Sequence, residues 1–232
     1  MSLWGSRSSE TTGLGPVRLP GPTGLWDLPT PALVVDLDAL ESNLEKMASF
    51  YRGKKAKLRP HAKTHKCPII AKKQLGLGAM GICTAKVSEA EVMLDAGIEN
   101  VLITSPVVTA DKIGRVVALA RKSPGIQIVV DQSVNVRDLN DAASAAGVRL
   151  PVLVDLNVGT DRTGAEMGRQ AVKLAGEIHK SGSLRFDGIQ AYAGHIQHQV
   201  GWEYRRQLSL ATMTRALETK HQMERAGYDV VA

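Results

Sequence analysis

Residues 80–106 contain one complete strand–helix–strand unit, MGICTAKVSEAEVMLDAGIENVLITSP, and this unit indicates the fold class. The short aliphatic segments at its two ends have the length and composition of buried strands, and SEAEVMLDAG at 88–97 has apolar residues at helical spacing. Ser88 stands where a helix N-cap is expected, and Gly97 stands where a helix-ending glycine is expected. Two strands joined by a helix through short loops predict a parallel pair with a right-handed crossover.

The same alternation continues on both sides of this unit, from residue 28 to the end of the chain. Strands are predicted at 32–35, 57–63, 80–84, 101–106, 126–131, 150–159, 186–195 and 228–232. Helices are predicted at 37–48, 68–77, 88–97, 110–122, 133–147, 169–181 and 204–226. This succession of aliphatic strands predicts an α/β protein of the (β/α)8 TIM-barrel type. The sequence has no GxGxxG turn after its first strand and no P-loop, which disfavours a dinucleotide-binding open sheet.

Two regions differ in composition. Residues 1–27 are rich in Gly, Ser and Pro and lack the apolar core of a secretory signal, so they predict a flexible leader. Residues 28–232 predict a single barrel domain. The chain ends inside the last predicted strand, whereas a closed eight-stranded barrel needs about one and a half further strand–helix units. We therefore expect an incomplete barrel, in a chain truncated at its C-terminus.

Composition and charge limit the kinds of molecule and the environment that are expected for this chain. No apolar run is long enough to span a membrane, and the two cysteines, Cys67 and Cys83, fit a reducing compartment such as the cytoplasm. The net charge of +6 is concentrated at residues 52–73, which contain nine Lys or Arg and no Asp or Glu. Such a run indicates a solvated face or an anion-binding surface. Nucleic acid is disfavoured, because no aromatic residues are interleaved with the charges.

Polar residues that follow the predicted strands are the candidates for an active site, since barrel enzymes carry their functional groups at the C-terminal strand ends. The residues that this rule collects are His61, Lys63, Thr64, His65, Thr84, Lys86, Thr104, Ser105, Asp131, Asn157, Asp161, Arg162, Thr163, Gln190, Tyr192, His195 and His198.

Lys63 stands in RPHAKTHK, residues 59–66, at the end of a predicted strand. Crowding by Arg59 and Lys66 would favour its neutral amine, which attacks carbonyl carbons and forms Schiff bases. The alternative is a solvated lysine in a basic loop, and composition alone favours that alternative because perturbed lysines are a minority.

Arg162 and Tyr192 each allow two interpretations. Arg162 lies in the glycine-bracketed turn GTDRTG and could donate to an anionic oxygen, or it could be solvated. Tyr192 follows Gln190 on one face of a predicted strand and could line a site or fill the barrel.

Two histidine pairs, His61 with His65 and His195 with His198, have the spacing of metal ligands on a helix. The first pair falls at a strand end, where this spacing does not converge, and no carboxylate accompanies either pair at a fixed offset. No metal site is therefore predicted within the chain.

Four motifs in order, RPHAKTHKCP, GICTAKVSEAEVM, DLNVGTDRTG and QAYAGHIQH, resemble the fold-type III pyridoxal 5′-phosphate enzymes related to the alanine racemase N-terminal domain. The subgroup they resemble contains D-threonine aldolase and D-serine dehydratase-like enzymes, including D-threo-3-hydroxyaspartate dehydratase. The resemblance implies a barrel followed by a β-rich C-terminal domain that this sequence does not contain. It also implies a divalent metal (Zn, Mn or Mg), with ligands in that domain, and a glycine-rich phosphate loop just beyond residue 232.

By that resemblance, Lys63 is the catalytic lysine, which binds pyridoxal phosphate as a Schiff base and acts as a base at the substrate Cα. Arg162 would contact the phenolic oxygen of the cofactor, and Tyr192 would line its ring. The implied activity is that of a lyase on small D-3-hydroxy amino acids, by aldol cleavage or by dehydration, in an enzyme that analogy makes a homodimer. The alternatives are a non-catalytic pyridoxal-phosphate carrier, resembling the single-barrel homeostasis proteins, and an inactive fragment.

Overall fold

The computed structural model describes residue 21 and residues 23–231, which belong to two compact units, Met1–Glu41 and Ser42–Ala232. The predicted leader, residues 1–27, lies mostly outside the described residues. In the first unit, a 3-10 turn at Leu25–Asp27 precedes an extended segment and the start of helix α1, Leu37–Tyr51. Asp36 caps this helix, because the Ala39 N–H donates to its Oδ1 atom at 2.9 Å.

The strand predicted at 32–35 is absent, and the side chains of Leu33 and Val34 are exposed. An apolar extended segment becomes a strand only where its N–H and C=O groups pair with a neighbouring strand. The prediction was therefore wrong because β-propensity alone does not supply that neighbour.

The second unit is a parallel sheet with helices between its strands. The strands are β1 (Ile82–Thr84), β2 (Val101–Ile103), β3 (Gln127–Val130), β4 (Leu150–Asn157), β5 (Ala165–Glu166) and β6 (Leu184–Gln190). The helices that follow α1 are α2 (Pro68–Gly76), α3 (Val87–Asp95), α4 (Ala110–Lys122), α5 (Ser133–Ala145), α6 (Arg169–Lys180) and α7 (Trp202–Arg225). The described part of the chain contains no helix that is long and apolar enough to cross a membrane.

The sheet has the order β1-β2-β3-β4, and β4 continues into two partners, β6 along most of its length and the short β5 at its C-terminal end. Every pairing is parallel, which confirms the predicted α/β class. This arrangement brings the C-terminal ends of the strands to one edge of the sheet, which is where polar residues were expected to gather.

The two faces of the sheet pack differently. One face forms the main core with the helices, and its strand residues include Ile103, Ile128 and Val154. The opposite face carries a small cluster of Leu102, Val129 and Leu153. Because side chains alternate along a strand, this second face is the inner face of the incomplete barrel.

The strand predicted at 57–63 reduces to a single parallel bridge between His61 and Cys83. Pro60 has no N–H group, so the hydrogen bonds come from the neighbouring segment: the Met80 N–H donates to Leu58 O and the Cys83 N–H donates to Pro60 O. The segment accepts these two hydrogen bonds through its carbonyls and forms a single bridge, which is too little pairing for a regular strand.

Several predicted element boundaries differ from the observed ones by a few residues. Helix α3 begins one residue before Ser88, with Lys86 at the N-cap, and the Glu89 carboxylate accepts the Ala85 N–H at 2.9 Å. Glu89 thus ties the segment before the helix to its first turn, and Ser88 lies inside the helix rather than at its N-cap. Strand β6 ends at Gln190 rather than 195, and no strand forms at 228–231, where Val231 N–H donates to Asp187 O.

Candidate active site

A cavity of about 930 Å³ opens on the inner face of the sheet and reaches the C-terminal ends of the strands. This volume is at the upper end of the range for small-molecule sites. Leu102, Leu153 and Cys83 supply its apolar wall. The polar and charged residues that line it are Tyr51, Lys55, Lys57, Arg59, His61, Lys63, Thr104, Asp155, Thr160, Arg162, Thr163, Gln190 and Tyr192.

Lys63 is carried by a tight 3-10 turn, Ala62–Thr64. The ring of His61 caps this turn, because its Nδ1 atom accepts the backbone N–H of Lys63 at 3.2 Å. Ala62 is buried beneath the turn, and its carbonyl accepts the N–H of Lys66 at 2.7 Å. The turn fixes the backbone, and the Lys63 side chain extends into the cavity opening.

The three residues predicted to bind a cofactor converge on one aromatic ring. Lys63 Nζ lies 5.4 Å from the centre of the Tyr192 ring, and Arg162 Cζ lies 5.6 Å from the same centre. Gly194 makes room for the ring, since a Cβ atom at that position would lie 2.7 Å from Tyr192 Cζ. Thr160 joins the loop of Arg162 to that of Tyr192 by donating to Tyr192 O at 3.0 Å.

The neighbouring cations contact other groups. Lys66 Nζ lies 3.7 Å from the Glu89 carboxylate, and Arg59 Nη1 donates to Gln127 Oε1 at 2.5 Å. The crowding of Lys63 by these two residues, which the sequence suggested, is therefore moderated by partners that had not been foreseen.

His61 connects the turn to the sheet. Its Nε2 atom lies 3.1 Å from Thr104 Oγ1, at the end of β2. Burial, and secondarily the positive charge of Lys63, lowers the pKa of His61 from its usual value of 6.5. A neutral imidazole can accept one hydrogen bond and donate another, which is what these two contacts require.

Asp155 is a buried carboxylate that the sequence analysis missed. It is 2% exposed in β4, where Thr163 Oγ1 donates to Oδ2 at 2.9 Å and Gln190 Nε2 donates to Oδ1 at 2.7 Å. Burial raises the pKa of Asp155, while these hydrogen bonds and the charge of Arg162 oppose that rise. The available signal was a charged residue in LPVLVDLN, two positions after the inward-facing Leu153.

Neither histidine pair belongs to a cluster of possible metal ligands among the described residues. Within residues 21 and 23–231, no three His, Cys, Asp or Glu side chains gather as a metal site. His195 packs over Gly159, where an added Cβ would lie 3.1 Å from the His195 ring, and His198 is exposed. Both cysteines are free thiols, and burial raises the pKa of Cys83 to about 11.

Comparison with protein families and sequences gives matches over most of the chain. The family model described as alanine racemase, N-terminal domain, matches residues 35–229. A D-threonine aldolase of an Arthrobacter species is 39% identical over 186 residues, which are 78% of this chain and 49% of that relative. A 3-hydroxy-D-aspartate aldolase of Paracoccus denitrificans is 35% identical over 202 residues, covering 87% of this chain and 52% of the relative.

Comparison with solved structures also gives a match over most of the chain. The crystal structure of D-threonine aldolase from Filomicrobium marinum matches with a TM-score of 0.87 and 42% identity. The match covers 90% of this chain and 56% of that one. The chain thus spans about half the length of the curated relatives that it matches.

Proposed function

Because the chain belongs to the alanine racemase N-terminal domain family, we propose that it is the pyridoxal-phosphate-binding part of a lyase that acts on D-3-hydroxy amino acids. The two relatives compared over their sequences are named aldolases for substrates of this kind. The observation that carries the proposal is the convergence of Lys63 and Arg162 on the ring of Tyr192, beside the cavity.

These residues fit pyridoxal phosphate in chemical type. The cofactor needs a primary amine for its aldehyde, a flat surface for its ring and a donor for its phenolic oxygen. Lys63, Tyr192 and Arg162 supply these three features around one cavity of sufficient volume. A divalent metal remains an expectation from the family, and no role is assigned to it among the described residues.

When bound, pyridoxal phosphate supplies an electron sink that stabilises negative charge on the substrate Cα. Lys63 Nζ would hold the cofactor and then take or return a proton at Cα. The Arg162 guanidinium would donate to the phenolic oxygen and offset its negative charge. Tyr192 would support the ring face, and the wall of Leu102 and Leu153 would exclude water from that side.

A trapping experiment tests the role of Lys63. The chain is incubated with pyridoxal phosphate, reduced with borohydride and mapped by mass spectrometry of its peptides. We expect the adduct on Lys63. In Lys63→Ala, we expect the total amount of adduct per chain to fall by at least about 90%. Lys57→Ala is the matched control, because Lys57 is another lysine of the same cavity, and it should retain the adduct. Equal labelling of Lys55, Lys57 and Lys63 would contradict the proposal.

Product analysis separates aldol cleavage from dehydration. Release of glycine from D-threonine in the presence of a divalent metal indicates an aldolase, since the Cα–Cβ bond breaks. Release of pyruvate from D-serine, or of oxaloacetate from D-threo-3-hydroxyaspartate, indicates a dehydratase. A specific adduct without any of these products leaves the non-catalytic carrier and the inactive fragment as the two alternatives.

A further inference from the structure

A chain of hydrogen bonds connects the backbone of Lys63 to the sheet. The Lys63 N–H donates to His61 Nδ1 at 3.2 Å, and His61 Nε2 lies 3.1 Å from Thr104 Oγ1. The Thr104 hydroxyl lies 3.0 Å from Thr84 O, to which it donates. The cofactor-lysine turn is therefore linked through one imidazole ring to the ends of β1 and β2.

Counting donors fixes the direction of every bond in this chain. The Thr104 hydroxyl has a single hydrogen, and Thr84 O, a carbonyl, can only accept it. The Lys63 backbone N–H can only donate, so His61 Nδ1 accepts from it, and in the neutral ring the proton lies on Nε2, where Thr104 Oγ1 accepts it. His61 Nδ1 is left with the lone pair that the Lys63 N–H needs. The other neutral tautomer would set a ring N–H against the backbone N–H of Lys63 and lose that contact, and its Nε2 atom could bond to Thr104 only if the hydroxyl turned away from Thr84 O.

We propose that Thr104 is a positioning residue, which holds His61 in its Nε2–H tautomer and thereby fixes the turn that presents Lys63 to the cavity. The importance of this turn for catalysis rests on the proposed function, but the hydrogen-bond direction does not. Thr104 acts through His61 and is not assigned a contact with the reacting atoms.

Thr104 is suited to this role because it is itself held by neighbouring strands. Its backbone N–H donates to Thr84 O at 2.9 Å, and its carbonyl accepts Gln190 Nε2 at 3.1 Å. Gln190 also donates to Asp155 at 2.7 Å, which ties Thr104 to the buried carboxylate of β4. A hydroxyl anchored in this way can orient a ring with little entropic cost.

The charges that act on His61 are those of Lys63 and Glu89, and they oppose each other. Burial is the largest influence, and it disfavours the protonated ring. Protonation at Nδ1 would replace the acceptor for the Lys63 N–H by a donor. The positioning pair thus works only while His61 is neutral.

The first test reads the tautomer directly in the protein without cofactor. Long-range proton–nitrogen NMR correlations of His61 should give the pattern of a ring protonated on Nε2. Thr104→Val keeps the shape of the side chain but removes its hydroxyl, and it should produce a mixture of the two tautomers. Thr104→Ser keeps the hydroxyl and should restore the single pattern. A wild-type ring protonated on Nδ1, or no response to Thr104→Val, would overturn the proposal.

The second test measures the rate of borohydride-trapped adduct formation on Lys63. We expect Thr104→Val to slow it about five- to tenfold, the effect of losing one hydrogen bond, and Thr104→Ser to lie within about twofold of wild type. If Thr104→Val fails to fold, His61→Leu and His61→Asn replace it. Asn offers an acceptor for the Lys63 N–H, so it should retain more adduct than Leu; equal rates would overturn the proposal.

The two tests separate this inference from the proposed function. If the wild type traps no adduct but the tautomer of His61 responds to Thr104→Val, the proposed function is wrong and the hydrogen-bond direction stands. If Lys63 is labelled equally fast in every variant, the cofactor site stands and the positioning role is overturned.

Discussion

At the scale of single residues, the site depends on side chains whose partners come from other strands. Asp155 illustrates this, because its two oxygens accept from Thr163 and Gln190. A buried carboxylate is costly unless it is fully hydrogen-bonded. Each oxygen of Asp155 has one such donor, which offsets part of this cost, and Asp155 thereby joins the loop of Arg162 to the end of β6.

The protonation of His61 predicts a pH dependence of stability. Its pKa is lowered in the folded chain, so the unfolded chain takes up the proton first as the pH falls. The stabilising contribution is complete above the usual pKa of 6.5 and is lost as the pH falls below that value towards the lowered one. Because the ring is partly exposed, the slope should stay below the about 1.4 kcal/mol per pH unit of a full proton.

Urea unfolding at a series of pH values checks this prediction. His65 contributes in the same direction, because burial lowers its pKa as well. The variant His61→Asn cannot titrate and should therefore have a shallower slope than wild type below pH 6.5. Identical slopes in the two proteins would contradict the prediction.

At the scale of elements, the turn between β4 and β5 depends on the glycine that directly precedes β5. Gly164 has φ +107°, and an added Cβ would lie 2.6 Å from the carbonyl carbon of Leu156 and close to Asn157 N. Its N–H donates to Asp131 at 3.0 Å. No larger residue can take this conformation without moving the turn that carries Arg162.

Gly164→Ala should therefore lower the free energy of unfolding by about 3 kcal/mol or more and reduce adduct formation on Lys63. Gly114→Ala is the control: Gly114 lies inside α4 with no atom within 4 Å of an added Cβ. That change should raise stability by about 0.5–1 kcal/mol. Urea midpoints of the two variants measure the difference, and equal midpoints would refute the structural argument.

Elements could be predicted where the local pattern determines them. The segment 110–122 is α4 as predicted, because its apolar residues follow a helical period. The strands at 32–35 and 57–63 could not be judged locally, since a strand depends on a partner elsewhere in the chain.

The residues of the candidate site could likewise be predicted only in part. The rule of strand ends collected a long set of candidates, and the family resemblance singled out Lys63, Arg162 and Tyr192 among them. The structure brings these three residues together around the Tyr192 ring, and their roles stay predictions. Asp155 was not predicted as a site residue, because its hydrogen bond with Gln190 joins two residues that lie far apart in the sequence. The hydrogen bonds of His61 could not be predicted either, because Thr104 lies far from His61 in the sequence.

At the scale of the whole molecule, the cavity is assembled from distant segments. The lining residues come from 51–63, 80–83, 102–104, 153–163, 189–192 and residue 231. No contiguous piece of the chain contains the candidate site, so a shortened chain that lacks β6 would lose Tyr192 and Gln190 together. The chain itself spans about half of its curated relatives, and the lyase activity therefore remains a proposal for the whole protein.

The position of Tyr192 opposite Lys63 also has a kinetic consequence. More than a hundred residues separate the two side chains, so their meeting closes one of the longest loops in the chain. Long-range contacts of this kind form slowly and late during folding. A nascent or refolding chain would carry an accessible but unselective lysine until β6 docks. Selective labelling of Lys63 would then report when the segment that follows β6 reaches the turn of Lys63.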